Sequence, residues 1–125
     1  MSWENYVQWS LIDPGLTSAA IVGHDGNLFA ASQSFSYDSE EIQAILPGLE
    51  DPDTLMGKSI SLGGTQYSII KSDRAMVIGA AGTKGVCITK TTQAFIIGIC
   101  DKPVGTGKCS VIVEKLANHL IEMGL

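Results

Sequence analysis

The chain has 125 residues, of which 45% are hydrophobic and 17% charged, and its formal net charge is −5. This length and apolar content predict one folded domain, residues 1–125, and exclude a disordered chain. The negative charge argues against nucleic acid as a partner, and no apolar run is long enough to span a bilayer. Three cysteines, an odd number in a chain poor in cysteine, favour a reducing, cytoplasmic setting.

The first 50 residues predict a helix, a β-hairpin and a second helix. Ser2 can cap a helix that begins at Trp3 and ends before Asp13-Pro14-Gly15. A buried strand at 17–23 and a returning strand at 28–31 flank the turn sequence His24-Asp25-Gly26-Asn27, in which we expect His24 to be solvated. The second helix is predicted to open at 37–39 and to run to about Leu49, with Pro47-Gly48 ending or fraying it.

The second half of the chain predicts an antiparallel meander and a terminal helix. A loop at 51–53 precedes strands that are predicted at 59–62, 66–71, 75–80, 86–91 and 94–100. The glycines at 79, 82 and 85 predict a flexible loop between two of these strands. The last segment has an apolar face with helical spacing and a C-terminal Gly124 to cap it, the face being Val113, Leu116, Ala117, Leu120 and Ile121. This order predicts an α+β domain with one antiparallel sheet and the terminal helices side by side.

Several segments resemble catalytic or cofactor motifs without matching them. The sequence VGTGKCS at 104–110 has Lys102 where a phosphate loop needs its first glycine and Cys109 where it needs Ser or Thr. GAAGTKG at 79–85 lacks the glycine spacing of a dinucleotide loop. The cysteines are too widely spaced for a typical zinc site. Buried, inert thiols are the simpler interpretation, and Cys109, at a helix start, is the one most open to a lowered pKa. We therefore predict no metal and no cofactor.

The aromatic residues at the N-terminus are the most informative feature. Trp3, Tyr6 and Trp9 are spaced three residues apart, so a helix would place them along one side, either as a core stripe or as a binding surface. Val7 and Leu11 already supply an apolar stripe for packing. Because each three-residue step drifts by about 60° around an α-helix, the rings fan out and at least one should be partly exposed.

The terminal helix offers a counterpart to these rings. His119 lies at the edge of its apolar face, so His119 and Leu125 could flank Trp3 and Tyr6 if the two helices are neighbours. A groove of rings with polar tips suits a polyproline II helix, since proline rings stack on aromatic side chains while N–H and O–H groups reach the peptide carbonyls.

Four segments together make the chain resemble the profilins, the small actin-monomer-binding proteins of eukaryotes, and the short amoeboid and plant ones above all. These segments are 2–7 (SWENYV), 19–30 (AAIVGHDGNLFA), 62–70 (LGGTQYSII) and 113–125 (VEKLANHLIEMGL). The resemblance implies a central antiparallel sheet with the N- and C-terminal helices packed together on one face and a smaller helix on the other. It also implies two binding sites and no enzymatic activity.

The first implied site takes proline-rich partners such as formins. The positions that match it are Trp3, Tyr6, Phe29, His119, Leu120 and Leu125. Relatives commonly have Trp where Phe29 stands, so one indole donor is lost. Trp9 replaces a residue that is usually polar, and we hypothesise that it extends the proline-binding surface.

The second implied site binds the barbed end of monomeric actin. The positions that match it are Ile69, Lys71, Lys90, Val104, Gly107, Ser110, Val111 and Lys115. The resemblance implies that the protein speeds nucleotide exchange on actin, blocks nucleation and delivers monomers to growing filament ends. Many relatives carry basic residues where this chain reads VIGAA at 77–81, which argues against strong phosphoinositide binding and for weaker actin binding.

We expect the chain to be a monomer, and three other interpretations of the sequence stay open. One is a module of the same shape that keeps proline binding and has weak actin binding. Another is a trafficking domain of the longin or roadblock type, which resembles the order of strands and helices but lacks the terminal aromatic groove. The last is a cysteine-dependent enzyme, which would require a reactive thiol.

Overall fold

An antiparallel sheet of seven strands organises the chain in the computed structural model, which describes residues 2–74 and 76–125. The strands are β1 (Ser18–Gly23), β2 (Leu28–Ala31), β3 (Ser59–Leu62), β4 (Thr65–Ser72), β5 (Val77–Ala81), β6 (Lys84–Lys90) and β7 (Ala94–Cys100). Their order across the sheet is β2-β1-β7-β6-β5-β4-β3, and neighbouring strands are antiparallel. The predicted meander is therefore β3 to β7, and the β1–β2 hairpin joins it by pairing β1 with β7. The Ala75 end of one predicted strand lies outside the described residues.

The first helix, α1, changes its winding after one turn. It is α-helical over Trp3–Asn5, capped by a hydrogen bond from the Asn5 N–H to Ser2 Oγ, and a π-helix over Tyr6–Ile12. The N–H of Asp13 donates to the carbonyl of Gln8, five residues earlier, at 2.9 Å. The predicted start and end of this helix are confirmed, whereas its wider winding gives no signal in the residue pattern.

The other two helices, α2 (Ser39–Glu50) and α3 (Thr106–Glu122), cover opposite faces of the sheet. On one face α1 and α3 pack together, and Leu11, Val113 and Leu120 are buried in their shared core. On the other face α2 buries Ile42 and Ile45 against the meander. The α+β class and the predicted placement of the helices are confirmed.

Three local predictions were wrong. The helix α2 continues through Pro47 and Gly48 to Glu50. Pro47 lies on the exposed side of the helix, and Gly48 packs so closely on Leu55 that a Cβ at this position would overlap the leucine side chain. The predicted loop at 51–53 leads into a short 3₁₀-helix, Pro52–Leu55. The predicted flexible loop at 79–85 is a tight turn at 82–83, and the glycines at 79 and 85 are paired inside β5 and β6.

The carboxylate of Glu41 joins the start of α2 to the β3–β4 turn. It accepts hydrogen bonds from the backbone N–H of Asp38 (2.9 Å), Gly63 (2.9 Å) and Gly64 (3.1 Å), and from the Ser61 hydroxyl (2.9 Å). Partial burial raises the pKa of Glu41, but these four hydrogen bonds favour the charged form and together lower the pKa below its ordinary value. Glu41 is therefore the residue that fixes α2 on this end of the meander.

Replacing Glu41 by glutamine is expected to lower the free energy of unfolding by about 1–2 kcal/mol at neutral pH, since hydrogen bonds to a charged acceptor are lost. Because the pKa of Glu41 is lower in the folded protein than in the unfolded chain, its ionised form stabilises the fold at pH values above the unfolded pKa. This stabilisation is lost as the pH falls through the pKa of the folded state. The difference between wild type and E41Q should therefore shrink below about pH 4.3. Urea unfolding at several pH values measures it. Glu40→Gln is the control, and an equal loss in that variant would contradict the role of Glu41.

Hydrogen bonds from the β6–β7 turn hold the last residue of the chain. The carbonyl of Leu125 accepts from the Thr91 hydroxyl at 2.9 Å and from the Gln93 N–H at 2.6 Å. On the same turn, His24 Nε2 lies 3.2 Å from the carbonyls of Thr91 and Ala94, and its ring packs on Phe95. The prediction of a solvated His24 was wrong, because the β1–β2 turn folds over this neighbouring turn.

Candidate functional site: a groove of rings and the surface of the last helix

Four rings from three elements form a continuous row on the side of the molecule where α1 meets α3. The ring of Trp3 lies 5.2 Å from that of Phe29 on β2 and 6.1 Å from that of Tyr6, measured between centroids. Tyr6 in turn lies 5.9 Å from His119 on α3. Trp3, Phe29 and His119 are all at least partly exposed. The structure thus brings together the four rings that the sequence predicted for one groove.

The hydroxyl of Tyr6 is already occupied within the protein. Tyr6 is only 5% exposed, and its O–H donates to the sulfur of Met123 at 3.6 Å. Met123 itself is exposed, and methionine side chains change rotamer easily. To donate to a ligand carbonyl, the Tyr6 O–H would have to give up its hydrogen bond to the Met123 sulfur.

The two leucines predicted for this site have different positions. Leu125 is partly buried and packs against the α1–α3 core, where the hydrogen bonds from Thr91 and Gln93 fix its backbone. Leu120 is fully buried, so it supports the groove from beneath and offers no surface to a ligand.

Trp9 lies on a second, adjoining groove. Its indole is 57% exposed, which confirms the expectation that one ring of the α1 row stays open. The groove has a volume of about 390 Å³, and we call it the Trp9 groove; its lining residues are Tyr6, Trp9, Ser10, Pro14, Lys115, Leu116 and His119. Tyr6 and His119 belong to both the ring row and this groove.

The beginning of α3 presents a second surface, which shares Lys115 with the Trp9 groove. Val111 is 64% exposed, Lys115 is exposed one turn later, and Gly107 is exposed one turn earlier. Ser110 is partly exposed and donates its hydroxyl to the carbonyl of Gly107 at 2.8 Å. Val104, just before the helix, is partly exposed as well. The spacing of Gly107, Ser110, Val111 and Lys115 places these four residues on one side of the helix.

A sequence model of the profilin family matches residues 1–125, the whole chain. This chain belongs to the profilin family. Among solved structures, profilin II of Acanthamoeba castellanii is similar to it with 35% identity and a TM-score of 0.91, covering 99% of this chain and 100% of that one. The profilin of Schizosaccharomyces pombe has 29% identity and a TM-score of 0.93, with the same coverage.

More distant profilins share the fold. Mouse profilin IIa, in complex with a double repeat from the FH1 domain of mDia1, has 18% identity and a TM-score of 0.80, with 100% of both chains covered. LokiProfilin1, in complex with rabbit actin, has 19% identity and a TM-score of 0.77, with 98% of this chain and 99% of that one covered. The predicted α+β fold is confirmed by these matches as well as by the strand order.

Two positions that the profilin resemblance assigned to the actin surface lie on the α2 face of the sheet, away from the surface of α3. Ile69 is 7% exposed in the core beneath α2. Lys90 forms an ion pair of 3.0 Å with Glu50 at the end of α2. Neither side chain meets the surface of α3, because successive strand residues point to opposite faces and these two point towards α2. Lys71, also predicted, is exposed on β4 and lies 3.7 Å from Asp73.

Sequence reasoning missed Ile70 on the same strand. Its side chain is 56% exposed, and alternation from the buried Tyr67 and Ile69 places it on the α3 face of the sheet. Ile70 stands at the point where the pairing of β4 with β5 is irregular, between Ile69 and Lys71. The alternation of apolar residues from Tyr67 onwards was the signal that could have identified Ile70.

The three cysteines of this profilin converge under the start of α3. The S–H of Cys87 donates to the carbonyl of Thr106, and that of Cys109 donates to the carbonyl of Gly98, both at 3.6 Å. A hydrogen bond with Cys87 and burial raise the pKa of Cys109, and burial raises the pKa of Cys100 to about 12. The expectation of a lowered pKa at Cys109 was wrong, because the thiol points into the core. Among residues 2–74 and 76–125, no group of three His, Cys, Asp or Glu side chains could hold a metal ion.

Because all three thiols are buried, we expect an aromatic disulfide reagent to react with them much more slowly than with free cysteine at pH 7.5. In urea, all three should react. Following absorbance with time measures both rates. One thiol that reacts in the native protein as fast as free cysteine would contradict the described burial.

Within the described residues, no helix is long and apolar enough to cross a bilayer.

Proposed function

We propose that this chain binds proline-rich peptides in the row of rings and monomeric actin on the α3 surface, and that it acts by binding without catalysis. The observation that carries the proposal is the continuous row of Phe29, Trp3, Tyr6 and His119. A row of tilted rings that includes the N–H groups of Trp3 and His119 suits a polyproline II helix, whose fixed shape costs little entropy to bind. The mouse profilin of the same fold, solved with an FH1 repeat, supports this assignment.

The proposed actin surface combines the exposed residues of α3 with the open strands beside it. Val111 and Ile70 supply exposed apolar area, Lys71 supplies positive charge, and Lys115 borders both this surface and the Trp9 groove. The profilin solved with rabbit actin supports actin as the partner. The protein would then hold actin monomers in the cytoplasm, block nucleation, speed nucleotide exchange and deliver monomers to growing filament ends.

One titration tests both halves of the proposal. Labelled monomeric actin is mixed with increasing amounts of the protein, with and without decaproline, and spontaneous assembly is followed by fluorescence. We expect the protein to slow assembly, and decaproline to bind without releasing the actin. Size-exclusion chromatography of the three components then detects the ternary complex. Unchanged assembly would overturn the actin half, and no binding of decaproline by calorimetry would overturn the other half.

A second candidate is a proline-binding module with weak actin binding. Two observations favour it: β5 carries no charged side chain, and Lys71 lies beside Asp73. The same absence of charge on β5 argues against strong binding to phosphoinositides. The titration separates the candidates, since the second predicts tight decaproline binding together with little effect on actin assembly.

A further inference from the structure

We propose that the Trp9 groove binds the residues that flank the proline tract of a ligand, and that it prefers an acidic residue there. This inference rests on the proposed binding of proline-rich peptides in the row of rings. It adds a second recognition element that reads the sequence beside the prolines.

The first argument is the exposure of Trp9. An indole that leaves 57% of its surface in water on a folded domain is an anchor without a partner. Tryptophan is among the residues that contribute most binding free energy when an interface covers them. No structural role competes for this side chain, because α1 packs on the core through Val7 and Leu11.

The second argument is continuity. Tyr6 and His119 line both the row of rings and the Trp9 groove, so a peptide that leaves the row past these rings enters the groove directly. A polyproline II helix rises about 9 Å per turn of three residues. The volume of about 390 Å³ lies within the range of small ligand sites, and it can take a short flanking segment.

The third argument is charge. Lys115 is the one residue with a permanent charge among those that line the Trp9 groove. Its side chain is exposed, and no carboxylate among the described residues forms an ion pair with it. In a chain of net charge −5, this lysine makes the groove a local site for a carboxylate beside apolar contacts. An acidic residue next to the proline tract would meet both the charge of Lys115 and the apolar contacts of the groove.

The test uses decaproline peptides that carry two extra residues at each end: Asp-Asp, Asn-Asn or Lys-Lys. Flanks at both ends allow for either direction of binding. Isothermal titration calorimetry at low salt compares the dissociation constants of the three peptides for wild type, Trp9→Ala, Trp9→Phe and Lys115→Ala. Met56→Ala, which alters an exposed apolar residue on the loop after the 3₁₀-helix, is the matched control.

We expect the Asp-flanked peptide to bind wild type about 3- to 10-fold more tightly than the Asn-flanked one, with the Lys-flanked peptide weakest. Lys115→Ala should remove this preference, and 0.5 M salt should reduce it. Trp9→Ala should weaken the binding of every flanked peptide about tenfold, with Trp9→Phe in between and Met56→Ala unchanged.

The two proposals fail in distinguishable ways. If decaproline without flanks does not bind wild type, the proline-binding half of the proposed function is wrong. If it binds, but the three flanked peptides bind alike and Trp9→Ala changes none of them, the Trp9 groove is not a ligand site. Circular dichroism melts of each variant ensure that a loss of affinity is not a loss of fold.

Discussion

Replacing Trp3 by alanine is expected to reduce the affinity for decaproline at least about 30-fold, as the loss of a central aromatic anchor does at other interfaces. Trp3 is the residue that joins Phe29 to Tyr6, with ring centroids 5.2 and 6.1 Å away. Without its indole, the row is divided into Phe29 on one side and the Tyr6–His119 pair on the other, and neither part can hold a turn of polyproline II helix alone. Calorimetry with decaproline measures the effect.

Trp3→Phe is the matched variant for this experiment, because it keeps a smaller aromatic ring in the row and removes the indole N–H together with the five-membered ring that carries it. We expect it to retain much more affinity than Trp3→Ala. Thermal melts should accompany both, since Trp3 also packs against the α1–α3 core. Full affinity in a folded Trp3→Ala protein would show that prolines bind elsewhere.

Replacing Gly98 by alanine is expected to lower the free energy of unfolding by about 1–3 kcal/mol, the usual cost of inserting a methyl group into a filled core. A Cβ at this position on β7 would lie 2.6 Å from Val113 and 2.8 Å from Leu16, both in the core. The strand and α3 would have to move apart to make room. Urea unfolding measures the loss, and both proposed sites should weaken because α3 contributes to each.

Gly107→Ala provides a control of opposite sign for stability. Gly107 lies in α3, and a methyl group added there would meet no packing neighbour within 4 Å, so alanine should stabilise the helix by about 0.5–1 kcal/mol. If Gly98→Ala were neutral, α3 would not be packed as tightly on β7 as described.

The features that were predictable from sequence are those set by local pattern. The strand β7 has the bounds that its apolar run predicts, and the Asp-Gly turn of the β1–β2 hairpin forms as expected. The terminal helix follows its apolar face, and Gly124 adopts the positive φ of a C-terminal cap. The pairing of Tyr6 with His119 was also predictable, since both residues mark helix edges that must share one face of the sheet.

The features that were not predictable depend on tertiary contacts. The π-winding of α1 leaves no residue pattern, and the passage of α2 through Pro47 depends on the close approach of Leu55 to Gly48. The direction of the Cys109 thiol is set by how α3 lies on β7. The ion pair of Lys90 with Glu50 was not predictable either, because it depends on where the end of α2 lies over the sheet.

The position of the two indoles makes the protein its own reporter. Trp3 and Trp9 are the only tryptophans in the chain, and both stand at the proposed ligand site rather than deep in the core. Their emission therefore has no background from elsewhere in the molecule. Single replacements by phenylalanine would leave one optical probe in the row of rings or one in the Trp9 groove. A spectroscopist could then follow how each half of the surface loses water as a peptide arrives.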